Sequence, residues 1–157
     1  MSATITRLNH AVLYVRDLDR AVEFYQEAFG FEEIGREGGR MAFLRAQGGT
    51  NHHDLGLMEV GENAPSPPPG ATGLYHLAWQ VGRIEDLAEM EVRLANMGAL
   101  GGRSDHGATK SLYAHDPDGN EFEVMWMVPR EEWGEYENRG VVMPLNMEQE
   151  VARFGGR

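Results

Sequence analysis

Cysteine is absent, which excludes disulfides, thiolate metal ligands and a cysteine nucleophile together. There is no apolar run long enough to span a bilayer, and Met1 to His10 lacks the charged and apolar regions of a secretory signal. No membrane partner and a cytoplasmic location are therefore expected. Basic residues are scarce: 14 Lys and Arg stand against 25 Asp and Glu, for a net charge of -11 that would repel the phosphates of nucleic acid. Part of that acidity lies in Glu131, Glu132, Glu135, Glu137, Glu148 and Glu150, which read as a solvated helical face. What is present suits one domain over 1–157, since 157 residues with 41% hydrophobic and 25% charged can fill the shared core of two small modules.

The modules show as an internal repeat. His10 and His76 are 66 positions apart, as are Leu57 and Glu123. The first copy, about 5–60, opens on Leu8-Asn9-His10-Ala11-Val12-Leu13-Tyr14-Val15. It continues with a helical stripe of apolar residues from Leu18 to Phe29. The second copy, about 74–128, opens on Tyr75-His76-Leu77-Ala78-Trp79-Gln80-Val81 and continues with a stripe from Ile84 to Met97. Asp17 is placed to cap the first helix, and Gly30 and Gly98 to end each one in a left-handed conformation. Three short β-rich runs follow each helix. The last pair in the second copy is joined by Asp116-Pro117-Asp118-Gly119-Asn120, a hairpin turn in which proline presets one dihedral and glycine supplies positive φ. The unit is βαβββ, present twice. A linker at 61–73, with Ser66-Pro67-Pro68-Pro69-Gly70, separates the copies because proline cannot donate to a ladder. A helical tail at 129–157 follows, with short helices read at Trp133 to Asn138 and Asn146 to Phe154.

Strand alternation sorts the side chains. Ala11, Leu13 and Val15 face the first helix, leaving His10, Val12 and Tyr14 on the other side. Leu77, Trp79 and Val81 face the second helix, with His76, Ala78 and Gln80 opposite. On the last strand Phe122, Val124 and Trp126 are the apolar set, so Glu121, Glu123 and Met125 share the other face. Two histidines and a glutamate thus project away from the helices. The repeat places Leu57 where a second carboxylate is expected, and a hydrocarbon cannot coordinate.

The paired βαβββ units, the openings Asn9-His10-Ala11-Val12 and Tyr75-His76-Leu77-Ala78, and the closing Asp116-Pro117-Asp118-Gly119-Asn120-Glu121-Phe122-Glu123 resemble the vicinal oxygen chelate superfamily. That group includes glyoxalase I, extradiol dioxygenases, fosfomycin thiol transferases, epimerases and bleomycin-sequestering proteins, so fold alone does not fix the reaction. The resemblance implies an α+β fold in which two βαβββ modules form a cup-shaped mixed sheet around a central metal, helices outside. It implies His10, His76 and Glu123 as metal ligands. Two imidazoles and one carboxylate form the facial set typical of non-heme Fe(II) oxygenases, while Mn2+, Ni2+ or Zn2+ would suit other members.

Further residues carry the likeness to small catechol-2,3-dioxygenase-like proteins. In Asn51-His52-His53-Asp54, the second histidine is similar to an active-site acid-base, and a pKa near neutrality suits an imidazole to that task. Four residues before Leu57, it is expected on the same strand face. Tyr113 matches a tyrosine that hydrogen-bonds the metal-bound substrate oxygen. Asp105-His106-Gly107 resembles a substrate-contacting loop, with His106 the contacting residue.

The function expected from these residues is an Fe(II)-dependent extradiol-type dioxygenase acting on a catechol-like aromatic and dioxygen. A metal-dependent glyoxalase, isomerase or fosfomycin-type transferase is the alternative within the family, and a protein that sequesters an aromatic antibiotic without chemistry is the alternative outside catalysis. A homodimer is expected from the tail, which could seal one end of the cup or dock on a second subunit.

Overall fold

The computed structural model describes residues 3–156. These residues form an α+β structure of two four-stranded sheets and three α-helices, in two compact units, one ending at Pro67 and the next beginning at Pro68. Among the described residues no helix is long and apolar enough to cross a membrane.

In the first unit β1 (Ala11–Val15) leads into α1 (Leu18–Phe29), then β2 (Glu32–Glu37), β3 (Met41–Arg45) and β4 (Leu55–Glu59). The sheet order is β1-β4-β3-β2, with β1 and β4 parallel and the other pairs antiparallel. The Asp17 side chain accepts a hydrogen bond from the Arg20 amide at 2.8 Å, and Gly30 ends the helix at φ 67°. Leu18, Ala21, Val22, Tyr25 and Ala28 are buried on one stripe of α1, together with Val15, Ala42, Leu44, Leu55 and Leu57 of the sheet. Val12 and Tyr14, on the other face of β1, are 48% and 68% exposed.

The second unit repeats the plan with β5 (Leu77–Val81), α2 (Ile84–Asn96), β6 (Leu100–Asp105), β7 (Thr109–His115) and β8 (Glu121–Met127), in the order β5-β8-β7-β6. Its core is Ile84, Leu87, Met90 and Leu94 of α2 with Leu112, Ala114, Phe122, Val124 and Trp126. Asp116 fixes the β7–β8 turn by accepting from the Asp118 and Asn120 amides, each at 2.9 Å, with Gly119 at φ 84°.

The tail packs on this second unit. After two short 3-10 turns, Arg130–Glu132 and Gly134–Asn138, comes α3 (Met147–Phe154), capped by the Asn146 side chain. Phe154 meets Trp126 at a ring-centroid distance of 5.1 Å. Buried Lys110 pairs with Asp105 at 2.6 Å and with Glu150 of α3 at 3.4 Å. A buried ammonium needs such partners, since desolvating it alone would disfavour its charge.

Strand register corrects one expectation. In the parallel pair of the second unit Ala78 lies beside Glu123, and in that of the first unit Val12 lies beside Gly56. Ala78 and Val12 each follow the opening histidine by two residues, so Gly56, not Leu57, occupies the place of Glu123. Leu57 pairs with Leu13 and Ala42 and is fully buried on the helix side. An offset of 66 aligns the histidines but becomes 67 by the last strand, and one residue exchanges the faces of a strand. Glycine, like leucine, offers no side-chain ligand at that place.

Candidate functional site

In the second unit a row of residues crosses the sheet face away from α2. Ala78 pairs with Glu123, Glu123 with Tyr113, and Tyr113 with Gly102. The adjacent row carries Glu121 paired with His115. His76 stands immediately before β5 and reaches both rows. Its Nε2 lies 3.2 Å from Glu123 Oε2, and its Nδ1 lies 3.3 Å from Glu121 Oε1. Small residues on either side of Glu123 and Tyr113 leave those side chains room on the face.

The His76–Glu123 spacing can be tested against a metal. Nitrogen and oxygen ligands about 2.1 Å from an ion are about 3.0 Å apart at a right angle and about 3.4 Å apart in a tetrahedron. The observed 3.2 Å lies between these values, so the two atoms fit neighbouring positions on one ion. Among the described residues no group of three or more His, Cys, Asp or Glu side chains is gathered to hold a metal. His76 and Glu123 lie in the second unit, and His10 lies in the first.

Tyr113 is held from its far side. His106 Nδ1 is 2.7 Å from the Val141 carbonyl, which only accepts, so Nδ1 carries the proton and Nε2 is left to accept. The Tyr113 hydroxyl donates to that Nε2 at 2.8 Å. Both ring nitrogens of His106 are thus engaged within the chain. Burial, followed by the charge of Glu123, pushes the Tyr113 pKa up from its ordinary value, so the hydroxyl stays protonated at neutral pH. The tail secures the loop that carries His106. Asp105 and Met143 exchange backbone hydrogen bonds at 2.8 and 2.9 Å. Gly107, at φ 75°, lies under Tyr136 where any Cβ would overlap the ring.

In the first unit the corresponding row is Val12, Gly56, Phe43 and Gly35. A Cβ on Gly56 would come within 3.2 Å of Val12 Cγ2, so the valine occupies space that Ala78 leaves to Glu123. His53 precedes β4, in the bend at residues 51–54, and does not share the face of Leu57. Its ring lies 4.5 Å from that of His10 and 5.3 Å from that of Phe43, on the open side of the sheet. Burial first, then the nearby His10 and His52 charges, lower the His53 pKa, which favours the neutral imidazole. The exposed His52 stands beside it, 3.1 Å between Nδ1 atoms. His10 Nδ1 is 2.9 Å from Asn9 Oδ1, so Nε2 is its outward nitrogen.

Among the expected site residues, His76, Glu123, Tyr113 and His106 form one connected set, and His10 and His53 form another. Sequence reading passed over Glu121 as a contributor, although its two-residue spacing from Glu123 is the signal that puts both on one face. Nothing in the sequence marks the Val141 carbonyl, because any residue supplies one.

Comparison with known proteins bears on the family and the fold. The Glyoxalase/Bleomycin resistance protein/Dioxygenase superfamily matches residues 7–124. The catechol-2,3-dioxygenase of Bacillus subtilis (strain 168) is 33% identical over 132 residues, covering 82% of this chain and 44% of that protein. The manganese-dependent 2,3-dihydroxybiphenyl 1,2-dioxygenase of Geobacillus genomosp. 3 is 28% identical over 134 residues, or 83% of this chain and 39% of that protein. The chain therefore spans less than half the length of these two relatives. Among solved structures, a glyoxylase/bleomycin resistance protein/dioxygenase domain from Frankia sp. EAN1pec has a TM-score of 0.68 at 27% identity, covering 80% of this chain and 100% of that one. A genomically encoded fosfomycin resistance protein from Listeria monocytogenes has a TM-score of 0.62 at 26% identity, covering 83% and 99%. The family match extends over both βαβββ units, from ahead of β1 into β8, and the chain belongs to the Glyoxalase/Bleomycin resistance protein/Dioxygenase superfamily.

Proposed function

We propose that the protein is an extradiol-type dioxygenase that opens the ring of a catechol-like aromatic, with His10, His76 and Glu123 as protein ligands to Fe(II). The observation that carries the proposal is the register of the two parallel strand pairs. It puts a carboxylate beside Ala78 in one unit and a bare glycine beside Val12 in the other, which supports a set of three protein ligands rather than four. Three protein ligands leave positions for a chelating diol and for dioxygen. Similarity to the Bacillus catechol-2,3-dioxygenase supports the same reading.

Bound iron would supply Lewis acidity toward the vicinal hydroxyls and a path for electrons from the diol to dioxygen. The side chains contribute proton handling and orientation. His53, kept neutral by burial, takes a hydroxyl proton at Nε2 and returns it later, its Nδ1 being turned toward His52. Tyr113 spends its own proton on His106, so toward the substrate its oxygen presents lone pairs and accepts from a hydroxyl. His106 acts through Tyr113, its orientation set by the Val141 carbonyl.

The test is oxygen uptake by anaerobically purified, iron-loaded protein across a broad panel of catechols. Stoichiometric uptake with a ring-opened product is expected for at least one of them, and no uptake with any of them overturns the proposal. Similarity to the Listeria fosfomycin resistance protein favours one other reading, a metal-dependent transferase or isomerase. It predicts turnover with Mn2+ or Ni2+ that is indifferent to oxygen.

A further inference from the structure

The opening histidine of each unit faces the same difficulty. An imidazole that gives one nitrogen to a metal must keep its proton on the other, and it can rotate unless that proton is held. In the second unit a second carboxylate stands where it could do the holding. Glu121 is two residues before Glu123, so both leave β8 on the same face. Its Oε1 lies 3.3 Å from His76 Nδ1, while Glu123 Oε2 lies 3.2 Å from Nε2 on the opposite side of the ring. The other Glu121 oxygen is 3.5 Å from Nε2 of His115, the residue paired with it across the ladder. That contact discourages Glu121 from swinging away from His76.

The first unit solves the same problem with different parts. Asp54 precedes Gly56 by two residues, as Glu121 precedes Glu123. Its Oδ2 accepts from the Ala46 amide at 2.8 Å, and its Oδ1 accepts from Asn51 Nδ2 at 2.8 Å. Asn51 Oδ1 in turn accepts from Asn9 Nδ2 at 3.1 Å, and Asn9 Oδ1 lies 2.9 Å from His10 Nδ1. Asp54 therefore reaches His10 through two amides, where Glu121 reaches His76 directly. In both units the outcome is alike: Nδ1 is tied down and Nε2 is turned outward.

We propose that Glu121 is the positioning residue for His76, accepting the Nδ1 proton so that Nε2 is the ligating nitrogen beside Glu123. The inference rests on the reading of His76 and Glu123 as metal ligands. Outer carboxylates of this kind fix the tautomer and ring orientation of a ligating histidine and raise its basicity. Glu121 also adds a negative charge close to the dication without occupying a coordination position.

The test uses Zn2+, which is redox-silent, with the full chain. Affinity is measured by competition with a chromophoric chelator for wild type, Glu121→Ala, Glu121→Gln and Glu123→Ala, with circular dichroism as the check on folding. Glu121→Ala should weaken binding by about 10- to 100-fold, the range expected when a ligand's outer partner is lost. Glu121→Gln keeps an acceptor oxygen and should lose less, whereas Glu123→Ala should lose more than either. In zinc-loaded wild type, nitrogen-15 spectra should place the remaining His76 proton on Nδ1, a readout that needs no variant to fold. Unchanged affinity in Glu121→Ala overturns the inference. So do a loss equal to that of Glu123→Ala, a Gln variant as weak as the Ala variant, or a proton on Nε2. Failure of wild type to bind zinc overturns the underlying metal reading instead, and is told apart by Glu123→Ala then having no effect either.

Discussion

The two units share one backbone plan but carry different side chains on it. Position for position, the row Val12, Gly56, Phe43 and Gly35 in the first sheet answers to Ala78, Glu123, Tyr113 and Gly102 in the second. The second pairs small flanking residues with a carboxylate and a phenol, and the first pairs a valine with a glycine and a phenylalanine. The same row geometry therefore holds a carboxylate and a phenol in the second unit and neither in the first. Even the ladder irregularity is duplicated, between Glu33 and Gly35 in one unit and between Leu100 and Gly102 in the other.

That comparison can be broken in five ways. The largest effect is expected at His53, where Ala should lower kcat for the iron-loaded enzyme by about 10²- to 10⁴-fold, the usual worth of a positioned acid-base. Iron content measured alongside should not change, and a loss of metal would instead make His53 a ligand. Next is Leu57→Ala, which should cost about 2–5 kcal/mol in denaturant unfolding while leaving metal stoichiometry intact, because Leu57 is fully buried core. Gly56→Ala should cost about 1 kcal/mol and be relieved by Val12→Ala, since the added Cβ presses on Val12.

The fourth sets the phenol against the phenyl. Tyr113→Phe should reduce kcat/KM by about 10- to 100-fold, as for losing a hydrogen bond to a charged or ionising partner. Phe43→Tyr in the other unit should leave it nearly unchanged. Equal losses would mean that the rows are not chemically distinct. The smallest effect concerns the tail, which has no counterpart in the first unit. Glu85 accepts from the Gly156 amide at 2.6 Å, and that bond holds its pKa below the ordinary value. A depressed folded pKa means a contribution that is present above the unfolded value of about 4.3 and lost as pH falls through the folded one. The protection factor of the Gly156 amide, its exchange rate taken against the intrinsic rate at each pH, should therefore fall on acidification through that window, and Glu85→Gln should flatten the dependence.

Much of this is legible in the sequence. Helix stripes, the Asp17 cap, Gly30 and the Asp116 turn are local signals, and the structure contains each of them. Alternation placed Glu121 and Glu123 on one face and Leu13 on the other. Strand parity failed where pairing decides it: the offset between repeats drifts by one residue, which moved the empty place from Leu57 to Gly56 and wrongly put Leu57 on the open face where His53 lies. Contacts such as His106 to Val141 or Lys110 to Glu150 link residues far apart in sequence, and no spacing rule anticipates them.

The most direct test of the proposed ligand set is elemental analysis of anaerobically purified wild type beside Glu123→Ala. One iron per chain in wild type and none in the variant is the predicted result. Iron retained by Glu123→Ala, or another metal in its place in wild type, would contradict it.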